Sequence, residues 1–198
     1  MLVPGDVGPR ARAALAGVVI VALTATSWAL WRGDGGSNAA SRDAVVPGRP
    51  VPVDRPAPRL SLPRLGGEGA VRVGGADGGL TVVNFWASWC TACRTEAPEL
   101  ASLWRAYRAR SVRFVGVDYG DRTPAALAFA RAHGMDYPSG VDPNGSAGDA
   151  FGIVGLPTTF IIGPDGRIRY VVTGRIEPAS FRAALDSVLG GAPGEDAG

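Results

Sequence analysis

Two thiols, Cys90 and Cys93, stand three positions apart in the run NFWASWCTACRTEAPEL at residues 84–100, and the 198-residue chain has no other cysteine. Three chemistries use such a pair: metal coordination, a structural cross-link and reversible dithiol exchange. A closed zinc site takes four ligands from Cys and His, and this chain offers Cys90, Cys93 and a single His133, so the count falls short. No metal is expected, and His133 reads as a residue at the end of a short helix. A permanent bridge gains most where it closes a long loop of the unfolded chain; one from Cys90 to Cys93 constrains very little. Exchange is what the spacing suits, because residues at i and i+3 of a helix share a face. Cys90 falls where a strand, a short turn and a helix start meet, so free N–H groups and the helix dipole favour its thiolate. Cys90 is therefore expected to attack a substrate disulfide. Cys93, one turn further in, is expected to resolve the mixed disulfide.

The elements that must hold this pair can be read around it. Leu80–Trp86 (LTVVNFW) has the β-branched and aromatic content of a buried strand, and the segment from Cys90 to about Arg110 repeats apolar Leu100, Leu103, Trp104 and Tyr107 at helical spacing. Val112–Val117 predicts a second strand and Thr123–His133 a short helix, with Thr123 as its cap and Pro124 at its first position. Thr158–Ile162 and Arg167–Val172 flank an Asp165-Gly166 turn, a hairpin signal. Pro178–Leu189 predicts a closing helix and Ala70–Val73 a short strand. The order β-α-β followed by β-β-α implies an α/β domain over 58–190, with a central mixed sheet and helices on both faces.

Composition limits what the domain can be. With 46% hydrophobic residues the chain can build a core without several disulfides. A net charge of +2, from 20 basic and 18 acidic residues, leaves no nucleic-acid footprint. Between Arg12 and Arg32, residues 13–31 (AALAGVVIVALTATSWALW) carry no charge and would span roughly 28 Å as a helix, about the hydrocarbon thickness of a bilayer. One transmembrane anchor is expected there, embedded in the lipid bilayer and preceded by a short tail at 1–12. A cleavable signal peptide is the rival, since Ser37-Asn38-Ala39 fits a small-x-small cleavage rule; it would give a secreted protein. Arginines flank both ends of the span, so charge does not decide its orientation. Residues 32–57, rich in Pro, Gly and Ser, are expected to be an extended linker, and 191–198 a flexible tail.

The runs VVNFWASWCTAC and GLPTTFIIGPDGRI (155–168), with Pro98 five residues after Cys93, resemble the thioredoxin superfamily, specifically its membrane-anchored TlpA/ResA-like branch of thiol-disulfide oxidoreductases. The resemblance covers about 58–190. It implies a thioredoxin-like fold with no cofactor, and a cis peptide between Leu156 and Pro157 in a loop lying against the cysteines. There the backbone of Leu156 would pair with an extended substrate segment, with Trp89 as a second substrate contact. Cytoplasmic thioredoxins resemble one another in a buried Asp where this chain has Asn84, which cannot titrate. Glu96, three residues after Cys93 at a helix position expected to be exposed or half-buried, is the candidate to take its place and move a proton. Arg94 would favour the Cys90 thiolate or simply decorate the surface.

The resemblance further implies a domain on the outer side of the membrane. It would reduce disulfides of exported proteins with electrons from a transmembrane donor protein, and cytochrome c maturation is one setting. Two other functions stay open: a peroxiredoxin-like peroxidase, and a tethered binding module with inactive cysteines. The Thr91-Ala92 dipeptide leaves the direction open too, since couples of this fold run from about −270 to −120 mV.

Overall fold

The structure, a computed structural model, describes residues 46–76 and 78–191. The expected anchor at 13–31, its flanking tail and the end of the chain from 192 lie outside these residues. Among the described residues no helix is long and apolar enough to cross a membrane.

The centre is β4 (Leu80–Trp86), buried along its whole length. Its alternating side chains serve two cores: Leu80, Val82 and Trp86 face one, Val83 and Phe85 the other. Such burial on both faces explains why the strand reads as a continuous apolar run and not as an alternating one. β5 (Val112–Tyr119) lies parallel to β4, and β6 (Ser139–Asp142) parallel to β5. On the other side β7 (Thr158–Ile162) and β8 (Arg167–Thr173) form the expected hairpin, with β7 antiparallel to β4. Outermost is β1 (Val51–Pro56), antiparallel to β8, so the described sheet runs β1-β8-β7-β4-β5-β6. A separate hairpin pairs β2 (Leu60–Pro63) with β3 (Ala70–Val73).

Helices α1 (Thr91–Tyr107), α2 (Thr123–Ala132) and α4 (Pro178–Leu189) contribute to the first core through Ala97, Leu100, Leu103, Ala126, Phe129, Phe181 and Leu185. The second core is closed by α3 (Ser146–Phe151) and by Val71 and Val73 of the small hairpin. Aromatic pairs fix the attachments. Trp86 stacks on Phe129 with centroids 5.1 Å apart, and Phe151 meets Phe85 and Phe160 at 5.2 and 5.1 Å. Each such side chain, fully buried, contributes about 1.5–3 kcal/mol.

Three expectations need correction. The linker does not extend to residue 57, nor does the folded domain begin at 58: Val51–Pro56 is a strand of the main sheet. Its prolines hid it, yet they are tolerated because β1 is an edge strand with a ladder on one side only. Thr123 is not the cap of α2; Arg122 is, and its side chain makes no capping bond. Finally, β6 and α3 were not foreseen. The two are joined by a cap: Asp142 at the end of β6 accepts bonds from the Ala147 and Gly148 N–H groups at the start of α3, satisfying donors that a helix start leaves open.

Candidate active site

Cys90 is the N-cap of α1, and its Sγ accepts from the Cys93 N–H at 3.1 Å. The two cysteines are joined as a disulfide with Cα atoms 5.2 Å apart. The helix start is thus aimed at sulfur, an arrangement that stabilises a thiolate there once the bond is reduced. Both cysteines are largely buried, but they differ in access. Cys90 opens on a groove of about 520 Å³ that is also lined by Trp89, Tyr119, Ile153, Val154 and Leu156, whereas Cys93 does not line it.

The groove is apolar and partly exposed. Trp89 is 59% and Val154 89% exposed, both unusual for large hydrophobic side chains. Trp89 is held by its indole N–H, which donates to Gly120 O at 3.2 Å. Across the groove the Leu156–Pro157 peptide is cis. Pro157 O accepts from Gly174 N at 2.9 Å, tying this loop to the end of β8. The turn before the cysteines has its own supports: the Ser88 N–H donates to Asp121 Oδ2 at 2.6 Å, and Arg94 Nη2 donates to Ser88 O at 3.0 Å. Arg94 is therefore bonded to the turn, with its guanidinium over the Phe129 ring.

Glu96 differs from expectation. It is fully buried, at 1% exposure, not exposed or half-buried. Its Oε2 accepts from Asn84 Nδ2 at 3.1 Å and its Oε1 from the Ile176 N–H at 2.9 Å. Asn84 also donates to Thr159 Oγ1 at 2.9 Å, its register partner on β7. Burial pushes the Glu96 carboxyl from 4.5 up to about 7, against the opposing pull of the Ile176 N–H, the Asn84 amide and Arg175. A carboxyl poised near neutrality on the helix that carries Cys93 can take or give a proton under ordinary conditions.

The structure thus gathers Trp89, Cys90 and Leu156 at one groove, with Cys93 behind them and Glu96 one turn further along α1. His133 lies apart from the cysteines as the C-cap of α2, its ring on Phe129 and its Nδ1 bonded to Phe129 O. Four contributors went unread in the sequence: Asp121 under the turn, Val154 at the groove rim, and Thr159 and Ile176 around the Asn84–Glu96 pair. Only Val154 left a signal, as an apolar residue in a loop next to Gly155-Leu156-Pro157.

Comparison with known proteins agrees with this geometry. Residues 53–171 match the model of the AhpC/TSA family. The chain is 26% identical over 186 residues to the thiol-disulfide oxidoreductase ResA of Bacillus subtilis, covering 92% of this chain and 94% of that one. It is 35% identical over 139 residues to the thiol:disulfide interchange protein DsbE of Allochromatium vinosum, covering 69% of this chain and 75% of the relative. Among solved structures, a thiol:disulfide interchange protein of the thioredoxin family from Chlorobium tepidum superposes with a TM-score of 0.61 at 26% identity, over 69% of this chain and 97% of its own.

Proposed function

Since this chain belongs to the AhpC/TSA family and, within it, to the thioredoxin-like thiol-disulfide oxidoreductases, we propose that it reduces disulfides of exported proteins on the outer side of a membrane, with cytochrome c maturation as one setting. The observation that carries this reading is a disulfide of two cysteines one helical turn apart, of which only the first opens on an apolar groove. In the reduced protein the Cys90 thiolate attacks a substrate disulfide, forming a mixed disulfide and expelling one substrate thiolate, which takes a proton from water. Cys93 then gives its proton to the Glu96 carboxylate and attacks Cys90 Sγ. The Cys90–Cys93 bond forms, the mixed disulfide breaks, and the second substrate thiolate leaves. Two electrons have passed to the substrate, and Glu96 holds the proton until solvent removes it.

Trp89, Val154 and Leu156 give an extended polypeptide segment an apolar surface beside the sulfur, and the Leu156 backbone next to cis Pro157 pairs with its main chain. A dithiol donor protein within the membrane restores the reduced state, and an anchor at 13–31 keeps the domain near it. Equilibrating the protein with glutathione tests the direction: a potential well below that of the exported disulfides it meets supports a reductant, and one near −120 mV, the value of a strong oxidant, refutes it. Insulin disulfide reduction by the dithiol form separates this reading from an inactive binding module. Consumption of hydrogen peroxide with no insulin reduction would identify a peroxidase.

A further inference from the structure

Asp118 lies near the end of β5, opposite Trp86 in the register with β4. It is 0% exposed, and neither of its carboxylate oxygens has a hydrogen-bond partner among the described residues. An ionised carboxylate in that position is costly, because burial strips its water and no donor replaces it. The charges that bear on it make matters worse, since the carboxylates of Asp121 and Asp142 both oppose its ionisation. Among the described residues, the charged groups of the turn and of β6 are already engaged elsewhere. Asp142 is engaged by the start of α3, and Arg94 of α1 is bonded to Ser88 O. Arg122 approaches through its backbone N–H, which donates to Asp121 Oδ1 at 2.7 Å. Two neighbouring carboxylates, one well supplied with donors and the other with none, are stable when they hold a single proton between them.

Resting on the redox reading above, we propose that Asp118 is a positioning residue of the catalytic turn: its carboxyl, kept protonated, donates to Asp121 and so fixes the carboxylate that grips the Ser88 N–H two residues before Cys90. The pair is distinct from the Glu96 network, which contacts α1 from Asn84 and Ile176. Losing the proton would set two negative charges against each other beneath the turn. The grip on Ser88 would slacken and the added charge would disfavour the Cys90 thiolate. Burial and the two neighbouring carboxylates hold Asp118 up to about 7, so this loss falls within an accessible range.

The test uses the full-length protein with aspartate side chains labelled at Cγ, titrated by NMR, alongside the pH profile of Cys90 alkylation. One aspartate should titrate near neutrality and vanish from the titration in Asp118→Asn, whose amide still donates to Asp121 but carries no proton to lose. Wild-type alkylation should show an inflection near neutral pH, worth roughly three- to tenfold in rate for half to one pKa unit. That inflection should be absent from Asp118→Asn and present in Glu96→Gln. Finding every aspartate titrated below pH 5, or superimposable alkylation profiles for wild type and Asp118→Asn, would overturn the proposal. The titration on wild type decides even where a variant folds poorly. A neutral-titrating aspartate in a protein that reduces no disulfide would refute the functional reading and leave the carboxyl pair standing.

Discussion

Glu96 shows how a single side chain joins stability to mechanism. Its folded carboxyl sits near 7 against 4.5 for an unperturbed one, so the folded state binds more protons than the unfolded state between those values. The stability this contributes is complete below about pH 4.5 and is lost as pH rises through 7. Glu96→Gln removes that slope. Its amide oxygen still accepts from Ile176, and a flip of Asn84 restores the other bond. Denaturant unfolding at pH 5 and pH 8 should therefore show the wild type losing up to about 3 kcal/mol relative to the variant. The same substitution should slow resolution of the mixed disulfide by about tenfold or more, since no local base then takes the Cys93 proton. It should also lower the apparent pKa of Cys93 by removing a negative neighbour. Stopped-flow resolution and thiol titration check both effects; curves identical to wild type would leave Glu96 a structural residue. None of this burial was legible in the sequence. Helical spacing placed Glu96 on the Cys93 face, but what covers it comes from Asn84, 12 positions away, and Ile176, 80 positions away.

At the scale of elements, β1 is the segment whose worth is least apparent from composition. A domain begun at residue 58 would lack it and expose the edge of β8, whereas one begun at 46 would keep the β1–β8 ladder. At about 1 kcal/mol net for each backbone hydrogen bond lost, the shorter form should be destabilised by about 3 kcal/mol and should self-associate through the open edge. Urea unfolding and sedimentation of the two forms measure this; equal midpoints would mean that β1 is a passive lining. β4, β5, the β7–β8 hairpin and α4 were legible because their residues match the local demand: β-branched runs for buried strands, an Asp-Gly turn between β7 and β8, and Pro178 opening α4. β1 and β6 were not. Two of the six residues of the first, VPVDRP, are proline, which reads as linker, and the second is the four residues SGVD, which become a strand because β5 lies beside them and Asp142 caps α3.

For the whole molecule, the expected anchor at 13–31 predicts that the full-length protein stays with membranes after carbonate washing and that its mature N-terminus does not lie at Ala40. A soluble form beginning at Ala40 would make it a secreted oxidoreductase. The cysteine pair was legible at this scale, because two thiols and one histidine leave a zinc site short of ligands. The groove was not, since Trp89 and Val154 meet only through the fold. The division of labour between the thiols is the central claim, and one measurement tests it most directly. Pre-reduced protein is mixed with an equivalent of a peptide containing one disulfide, quenched in acid and examined by mass spectrometry. The wild type should yield the Cys90–Cys93 disulfide and the peptide dithiol in equal amounts, and Cys93→Ala should stop at a peptide joined to Cys90. An adduct on Cys93 in Cys90→Ala with none on Cys90 in Cys93→Ala, or a peptide left oxidised beside a protein left reduced, would contradict the account.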